Sequence, residues 1–514
     1  MPGTVHRSGI RQLHSPSAYR RILGHCILFS ESQGLCQTPV PSVVLKEMKS
    51  RRNPTSAIDP ASFRDPDGFV FSEKGRVFRQ INPSYKKEYD HLMASGLYDE
   101  LLGLGLIVPH KEIGDNSRRP HEVYKVIEPR TIDFISYPYE WCFSQLRDAA
   151  LAVLEIQNIA LRYGMVLKDS SAYNVQFMDG KPVLIDTLSF SFLQEGEPWT
   201  AYRQFCQHFV APLALMSLVD VRLGQLSRIH VDGVPLPLTR KLLSGRGLLD
   251  SGIWLHLKLH ARAQERYAGT DLKTFARKRG FSKQAHIGLI ESLANCIRGL
   301  NLQREGHDWG EYYSDGSADS NYLEHKKVLV REIIQKVKPR DAWDLGSNTG
   351  LFSRLMADGG ISTVAFDSDI HCVEESYRNM KRDGLGNLLP LWIDFANPSP
   401  AIGWEHSERR SLIQRGPVDV ALALALVHHL AISNNIPFHK MATFFWQICS
   451  NLVVEFVPRD DPMVEKLLSS RKDTPLEYSQ RAFESGFSAN FRILSSYDIG
   501  NSRRKLYFMK KKPS

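Results

Sequence analysis

Two aspartates and a glycine-containing loop in the C-terminal half have the types and spacing of a nucleoside-binding site. Asp344 ends an apolar run, Gly346 and Gly350 follow in the segment Gly-Ser-Asn-Thr-Gly, and Asp367 ends the next apolar run. Glycines let the backbone approach a ligand closely, and a carboxylate at a strand end can accept hydrogen bonds from both hydroxyls of a ribose. The predicted chemistry is therefore binding of a nucleoside-containing ligand.

The same segment excludes two common phosphate-binding loops. It lacks the Gly-x-Gly-x-x-Gly spacing of dinucleotide-binding loops, and no lysine follows it as in a P-loop. The elements that must position it alternate between helix and strand patterns from Val328 onward. Such alternation predicts a parallel sheet covered by helices, with the loop at the carboxyl end of its first strand.

These landmarks resemble the first motif of class I S-adenosylmethionine-dependent methyltransferases, with Asn348 where the family's middle glycine stands. Asparagine tolerates positive φ better than most residues, so this departure is small. Later segments follow in the order of that family's strands: LLPLWIDF (388–395), PVDVALALALVHHL (417–430), NLVVEFVP (451–458) and a closing pair within 491–512. The resemblance covers about residues 306–514 and implies a seven-stranded, doubly wound α/β sheet of the Rossmann type that binds S-adenosylmethionine.

The resemblance assigns eight residues to the cofactor site: Asp344, Gly346, Ser347, Asn348, Gly350, Asp367, Asp394 and Phe395. The last two follow the third strand, where the family holds the adenine. Two alternatives stay open. Asp344 and Asp367 can serve only as strand-end caps, and Asp394 can cap a turn or a helix.

Catalytic candidates follow the fourth and fifth predicted strands, beside the position where ligands bind in open α/β sheets. Methyl transfer requires alignment of a nucleophile, and a general base helps when an O or N acceptor must lose a proton. His428 or His429 can be that base, and Glu455 is a further candidate. The alternative is that one histidine caps a helix and the other packs against the fifth strand. Adjacent side chains diverge, so we predict no metal site.

A second polar set lies within VLKDSSAYNVQFMDGKPVLIDTLSF (166–190). Asp169 and Asn174 are five residues apart, and Asp186 follows a hairpin turned at Asp179-Gly180. One Asp can orient a hydroxyl while the Asn and the other Asp hold Mg²⁺ on the phosphates of a nucleotide. The set resembles the catalytic loop and metal-binding strand of the protein kinase and aminoglycoside phosphotransferase fold. The likeness covers about residues 65–300 and implies ATP and Mg²⁺ as ligands.

The N-terminal half departs from that family. Leu167 stands where the catalytic-loop histidine would be, and Asp186-Thr187-Leu188 replaces Asp-Phe-Gly. We therefore expect a degenerate kinase-like α+β module that binds or positions something, rather than an active kinase. A polar hairpin with capping Asp and Asn residues is the alternative.

The formal net charge of +9 does not by itself indicate a nucleic-acid partner, because residues 1–50 and 503–514 carry most of it. Residues 240–283 hold eleven lysines and arginines against three acids, and form either an anion-binding patch or a solvated helical face. Seven scattered cysteines exclude a disulfide framework and favour a reducing compartment. No apolar run approaches the ~20 residues of a membrane helix, so we expect a cytoplasmic protein.

Together these patterns predict a disordered leader over 1–60, a kinase-like α+β domain over 61–300 and a methyltransferase domain over 301–514. The expected reaction is methyl transfer from S-adenosylmethionine to an O or N acceptor, with a small molecule or saccharide favoured. The two-part layout resembles the methyltransferase-like nodulation proteins of rhizobia. A phosphotransferase or ATP-binding module, or a non-catalytic scaffold with decayed sites, is the alternative.

Overall fold

The protein is represented by a computed structural model that describes residues 56–114, 118, 122–243, 252–253, 255–257, 281–302, 320–469 and 477–513. The leader predicted over 1–60 and the basic stretch 240–283 therefore lie mostly outside the described residues. Thr55–Ser514 forms one compact unit. Within the described ranges, no helix is both long and apolar enough to cross a membrane.

The first part of this unit is built on a five-stranded antiparallel sheet in the order β1-β2-β3-β5-β4. Its strands are β1 (Ser56–Ile58), β2 (Gly68–Glu73), β3 (Arg76–Ile81), β4 (His110–Ile113) and β5 (Lys125–Pro129). The segment GFVFSEKGRVFRQI (68–81) predicts a hairpin with Gly75 at its turn. The structure confirms it: Lys74 and Gly75 both have positive φ, as a two-residue type I′ turn requires.

Two short antiparallel strand pairs and a set of helices complete this part of the unit. The strand pairs are β6 (Met165–Leu167) with β9 (Phe190–Phe192), and β7 (Val175–Met178) with β8 (Lys181–Leu184). The helices are α1 (Lys86–Ala94), α2 (Leu97–Gly103), α3 (Phe143–Arg162), α4 (Tyr202–Phe205), α5 (Ala211–Leu218), α6 (Leu226–Ile229), α7 (Leu236–Leu242) and α8 (Lys283–Gly299).

Two local predictions for this part were wrong. The apolar spacing from Tyr85 to Leu102 predicts one amphipathic helix. The structure has two, because Gly96 adopts a φ of 90° between α1 and α2 and turns the chain. The segment TIDFISYP (131–138) predicts a further strand, but these residues form none in the structure. Its central side chain, Phe134, packs its ring 5.6 Å from that of Trp343 and 5.9 Å from that of Phe366, so the segment serves as packing rather than as a sheet strand.

The predicted seven-stranded doubly wound sheet is confirmed, with the order β12-β11-β10-β13-β14-β16-β15. Five neighbouring strands are parallel, and β16 and β15 add an antiparallel edge beside β14. The strands are β10 (Asp341–Leu345), β11 (Ser362–Asp367), β12 (Leu388–Trp392), β13 (Val418–Ala423), β14 (Cys449–Phe456), β15 (Phe491–Asp498) and β16 (Lys505–Lys511).

Helices connect these strands, as parallel pairing requires. They are α9 (Ser320–Val337), α10 (Leu351–Asp358), α11 (Ile370–Asp383), α12 (Leu412–Arg415), α13 (Phe438–Ile448), α14 (Pro462–Ser469) and α15 (Gln480–Ser488). Because β11 and β13 both pair with β10 in parallel, the carboxyl ends of the three strands lie together, and the strand order changes direction at β10. Open α/β sheets bind ligands at this kind of edge.

One apolar core runs through both parts of the unit, from Leu92 to Met509. Phe177 of β7 places its ring 6.0 Å from that of Tyr377 on α11, which joins the N-terminal part to a helix of the large sheet. Gln145 of α3 also donates a 2.9 Å hydrogen bond to the carbonyl of Pro390 in β12. The two sheets are therefore held by shared packing rather than by a linker alone.

Candidate functional site

The loop between β10 and α10 folds back over the end of β11. The N–H groups of Gly346 and Ser347 both donate to the carbonyl of Phe366 at 2.9 Å. Gly346, Asn348 and Gly350 have φ values of 78°, 51° and 87°, which lie in the left-handed region. Asn348, which stands where the family's middle glycine would be, therefore adopts the positive φ expected at that position.

A side chain on Gly350 would clash with its surroundings, and one on Gly346 would crowd a neighbouring side chain. A Cβ on Gly350 would lie 2.6 Å from Oγ of Ser376 on α11, and a Cβ on Gly346 would lie 3.3 Å from Cδ1 of Leu426. The positive φ at each position adds strain for any other residue. The backbone of the loop after β10 therefore lies close to α11 and to the segment after β13.

Asp367 lies next to this loop, as the spacing predicts. Its Oδ2 accepts a 2.7 Å hydrogen bond from the N–H of Asn348, and its Oδ1 accepts one of 2.8 Å from the N–H of Asp369. Desolvation by burial raises its pKa to about 6. A carboxylate can accept about four hydrogen bonds, so both oxygens keep capacity for further donors.

Asp344 is buried behind the loop and is 2% exposed. It accepts a 2.6 Å hydrogen bond from the hydroxyl of Ser353 in α10, and burial raises its pKa to about 6. These contacts fix the first turn of α10 against β10. A direct contact between Asp344 and a cofactor stays a prediction.

Asp394 and Phe395 follow β12 but differ in environment. Asp394 is exposed, and its Oδ1 accepts a 2.8 Å hydrogen bond from the N–H of Ala396. This is the turn-capping arrangement that the sequence left open. Phe395 is buried, with its ring 5.8 Å from that of Phe366 and 6.3 Å from that of Phe444.

His428 and His429 lie side by side after β13, with ring centroids 4.2 Å apart. His428 is 2% exposed, and its Nδ1 has no hydrogen-bond partner among the residues the structure describes. Burial lowers the pKa of both histidines, and the neighbouring His429 lowers that of His428 further. Both imidazoles are therefore neutral near pH 7, with nitrogen lone pairs that can accept a proton.

Glu455 is fully buried in an ion network that sequence reasoning missed. Its carboxylate accepts hydrogen bonds of 2.5 Å from the Tyr322 hydroxyl and from Nζ of Lys326, and Arg504 Nη1 lies 3.5 Å away. Burial opposes ionisation, but the charges of Lys326 and Arg504 hold the pKa of Glu455 below its usual value. Arg504 also pairs with Asp461 at 2.7 Å. These contacts anchor Glu455, and a catalytic role for it stays a prediction.

The N-terminal polar set is only partly brought together. Asp186 accepts a 2.8 Å hydrogen bond from Ser189 Oγ, and the same hydroxyl lies 3.4 Å from Nδ2 of Asn174. Nη1 of Arg79 in β3 pairs with Asp186 at 2.8 Å. Asp169 instead accepts a 2.8 Å bond from Nε2 of Gln204.

Further ion pairs surround Asp186. Arg79 also pairs with Asp65 at 2.7 Å, and Lys168 pairs with Asp67. In the described parts of the chain, no group of three or more His, Cys, Asp or Glu side chains could hold a metal ion. Arg79 thus pairs with Asp186, one of the residues where the sequence places Mg²⁺, and ATP–Mg²⁺ binding stays an alternative.

Known proteins resemble this chain in part of its structure and over most of its sequence. No protein-family model matches it. The bifunctional kinase-methyltransferase WbdD is 14% identical over 40% of this chain and 42% of that chain, with a TM-score of 0.28. The N-methyltransferase NodS from Bradyrhizobium japonicum WM9 is 9% identical over 38% of this chain and 99% of that chain, with a TM-score of 0.29. Similarities at such TM-scores establish nothing about this chain's activity.

A relative in sequence is more informative. The nodulation protein NoeA of Rhizobium meliloti (strain 1021) is 32% identical over 456 residues, which are 87% of this chain and 94% of that protein. The match spans both halves, and it confirms the resemblance to rhizobial nodulation proteins. The chain belongs to the family of the nodulation protein NoeA.

Proposed function

We propose that this protein binds S-adenosylmethionine at the carboxyl edge of its seven-stranded sheet and transfers the methyl group to an O or N acceptor. The observation that supports this best is the contact between the 346–350 loop and Asp367, made by the N–H of Asn348 at 2.7 Å. This contact brings a loop with three left-handed residues beside a half-buried carboxylate that can accept further hydrogen bonds.

The residues present fit such a cofactor. Asp367 would accept hydrogen bonds from the ribose hydroxyls, and the glycines at 346 and 350 would let the backbone approach closely. Ser347 and Asn348 lie in the same loop, and Phe395 follows the strand next to β11. When bound, the cofactor supplies a methyl group already activated on a sulfonium.

The chain's own contribution is alignment, exclusion of water and acceptance of a proton. We assign the general base to His429, because it is neutral near pH 7 and half-buried, whereas His428 is almost fully enclosed. His428 packs beside it and holds its ring in place. The Glu455 network would fix α9 and β16 around the same sheet edge.

The acceptor in this proposal is a hydroxyl or amine on a small molecule or saccharide. The name of the related NoeA assigns that protein to nodulation, which supports a role for this chain in the same process. Incubating the protein with extract and methyl-labelled cofactor, then separating RNA, protein, lipid and small molecules, identifies the acceptor class. Label confined to protein or RNA would contradict a small-molecule or saccharide acceptor.

Calorimetric titration with S-adenosylmethionine tests cofactor binding directly. Asp367→Asn removes the charge and one acceptor oxygen, and losing one hydrogen bond to a charged group costs roughly 1.5–3 kcal/mol, so the variant should bind at least tenfold more weakly. Asp498→Asn is the matched control, because Asp498 is an exposed strand-end aspartate of the same sheet. A wild-type protein that binds no cofactor, or an unchanged affinity in Asp367→Asn, contradicts the proposal.

The N-terminal part retains a kinase-like arrangement in our interpretation, because a five-stranded antiparallel sheet precedes α3 and the Asp169–Asp186 segment. Since Arg79 neutralises Asp186, we propose that this part positions the large sheet rather than transferring phosphate. The alternative phosphotransferase predicts ATP–Mg²⁺ turnover that Asp186→Ala abolishes. A scaffold with both sites decayed predicts that neither nucleotide nor S-adenosylmethionine shifts the melting temperature.

A further inference from the structure

Helix α11 is in direct contact with the 346–350 loop and with the carboxylate beside it. Asp369 precedes the first turn of the helix, and its N–H donates a 2.8 Å hydrogen bond to Oδ1 of Asp367. Two turns further along, Ser376 is so close to the loop that a Cβ on Gly350 would lie 2.6 Å from its Oγ. The place of α11 therefore affects both the carboxylate and the loop.

A second set of contacts joins α11 to the N-terminal part. Oδ2 of Asp148, on α3, accepts hydrogen bonds from the Tyr377 hydroxyl at 2.8 Å and from Nζ of Lys381 at 2.5 Å. The Asp148 side chain is 15% exposed and Tyr377 is buried, and hydrogen bonds to a charged group are stronger than neutral ones. Burial raises the pKa of Tyr377, and the charge of Asp148 raises it further, so the phenol stays a donor.

These two donors fix the rotation of α11 about its axis. Tyr377 and Lys381 are four residues apart and lie on the same face of the helix, whereas Ser376 projects about 100° away from Tyr377. A rotation by about 10° would move side-chain atoms that lie about 5 Å from the axis by about 0.9 Å. Because the loop lies so close to Ser376, a rotation of this size would displace the loop or break the contact between Asp369 and Asp367.

We propose that Asp148 is a positioning residue for the cofactor site. By holding Tyr377 and Lys381, it keeps α11 in the rotation at which Asp369 donates to Asp367. The inference rests on the proposed function and extends it, because it makes the affinity for S-adenosylmethionine depend on a residue of the N-terminal part. Small shifts are sufficient, since a misplacement of about 1 Å far from the reacting atoms can reduce the rate of an enzyme about 100-fold.

Calorimetric titration of the full chain with S-adenosylmethionine measures this dependence. Asp148→Ala removes the acceptor of both donors and should weaken binding by about fivefold or more. Tyr377→Phe removes one donor but keeps the ring that lies 6.0 Å from that of Phe177, and should weaken binding by about twofold or more. Since Tyr377 acts through Asp148, adding Tyr377→Phe to Asp148→Ala should cause no further loss of affinity.

Arg64→Met is the control for a general loss of stability. Arg64 joins the N-terminal part to the segment between β12 and α12, through hydrogen bonds of 2.9 Å and 2.7 Å to the buried carboxylate of Glu408. Removing this partner should lower the melting temperature but leave the Kd of the cofactor unchanged, at a temperature where circular dichroism shows that every variant is folded. An equal loss of affinity in Arg64→Met would mean that instability weakens binding, and would overturn the proposal.

Hydrogen exchange without ligand separates this inference from cofactor binding itself. The amides of Asn348 and Asp369 both donate to Asp367, and both should exchange faster in Asp148→Ala than in the wild type or in Arg64→Met. A wild-type protein that binds no S-adenosylmethionine contradicts the proposed function, while the exchange rates still decide the role of Asp148. Unchanged exchange at these two amides, or an unchanged Kd in Asp148→Ala where the wild type binds, overturns that role.

Discussion

Arg415→Met removes the cation of a buried ion pair that joins the two parts of the chain. The Arg415 side chain is 4% exposed and that of Glu140 is 1% exposed. Two parallel hydrogen bonds link them, from Nη1 to Oε2 at 2.8 Å and from Nη2 to Oε1 at 2.5 Å. Glu140 precedes α3, whereas Arg415 ends α12 before β13, so the pair connects residues 275 positions apart.

The expected cost follows from what remains after the substitution. Glu140 would stay buried without a counter-charge, and removing one partner of a buried pair typically costs about 3–5 kcal/mol. The Ser399 hydroxyl still donates to it at 2.5 Å, and the Tyr137 N–H at 3.0 Å. Because these donors persist, we expect the lower end, about 3 kcal/mol, a factor of more than 100 in the unfolding equilibrium.

Urea denaturation of four proteins measures this effect: wild type, Arg415→Met, Glu140→Gln and the double variant. The double variant leaves no buried charge, so it should be more stable than Arg415→Met, with a coupling energy of about 2 kcal/mol. Arg130→Met is the control, because its pair with Asp179 is about half exposed and should contribute within about 1 kcal/mol. The reasoning fails if Arg415→Met destabilises no more than Arg130→Met.

Three further outcomes are expected. Gly350→Ala should lower the melting temperature more than Gly360→Ala. Both glycines have positive φ, but only a Cβ at 350 would meet Ser376. Adding Ser376→Ala to Gly350→Ala should therefore recover part of the difference. Cofactor affinity should fall as the pH drops through about 6, because the pKa of Asp367 is raised to about 6 and its carboxylate accepts hydrogen bonds from ribose hydroxyls best when it is ionised. In Asp367→Asn, calorimetry should show no fall of affinity over this pH range. His429→Gln should reduce kcat by about 100-fold, measured by methyl-label transfer, while leaving the Kd of the cofactor unchanged; an unaltered kcat would remove His429 as the base.

The sequence predicted the large sheet because its signals are local. Apolar runs separated by helical patterns indicate a parallel sheet, and Asp367 and the glycines stand where these runs end. The number of strands and the closing antiparallel pair were implied by the resemblance to the methyltransferase family. The break between α1 and α2 was not predicted, because the apolar pattern continues across Gly96. That glycine adopts positive φ, which periodicity does not reveal.

The partners of Glu455 could not be predicted for a different reason. Lys326 is 129 residues away from it and Arg504 is 49 residues away. An ion pair of this kind depends on which strands become neighbours, and β16 returns beside β14 only in the folded sheet. Candidate residues marked by local motifs are therefore found from sequence, whereas the charges that surround them are not.

The N-terminal part contacts α11, the helix that packs against the 346–350 loop. Glu374 on that helix accepts hydrogen bonds from the N–H and the hydroxyl of Ser144, at 2.9 Å and 2.5 Å, in the first turn of α3. Its negative charge is favourable there, because helix N-termini carry unpaired N–H groups and a positive partial charge. Two residues further along α11, Ser376 lies where a side chain on Gly350 would clash. The helix that limits the loop is thus fixed by the other half of the molecule, which explains physically why both halves form one compact unit.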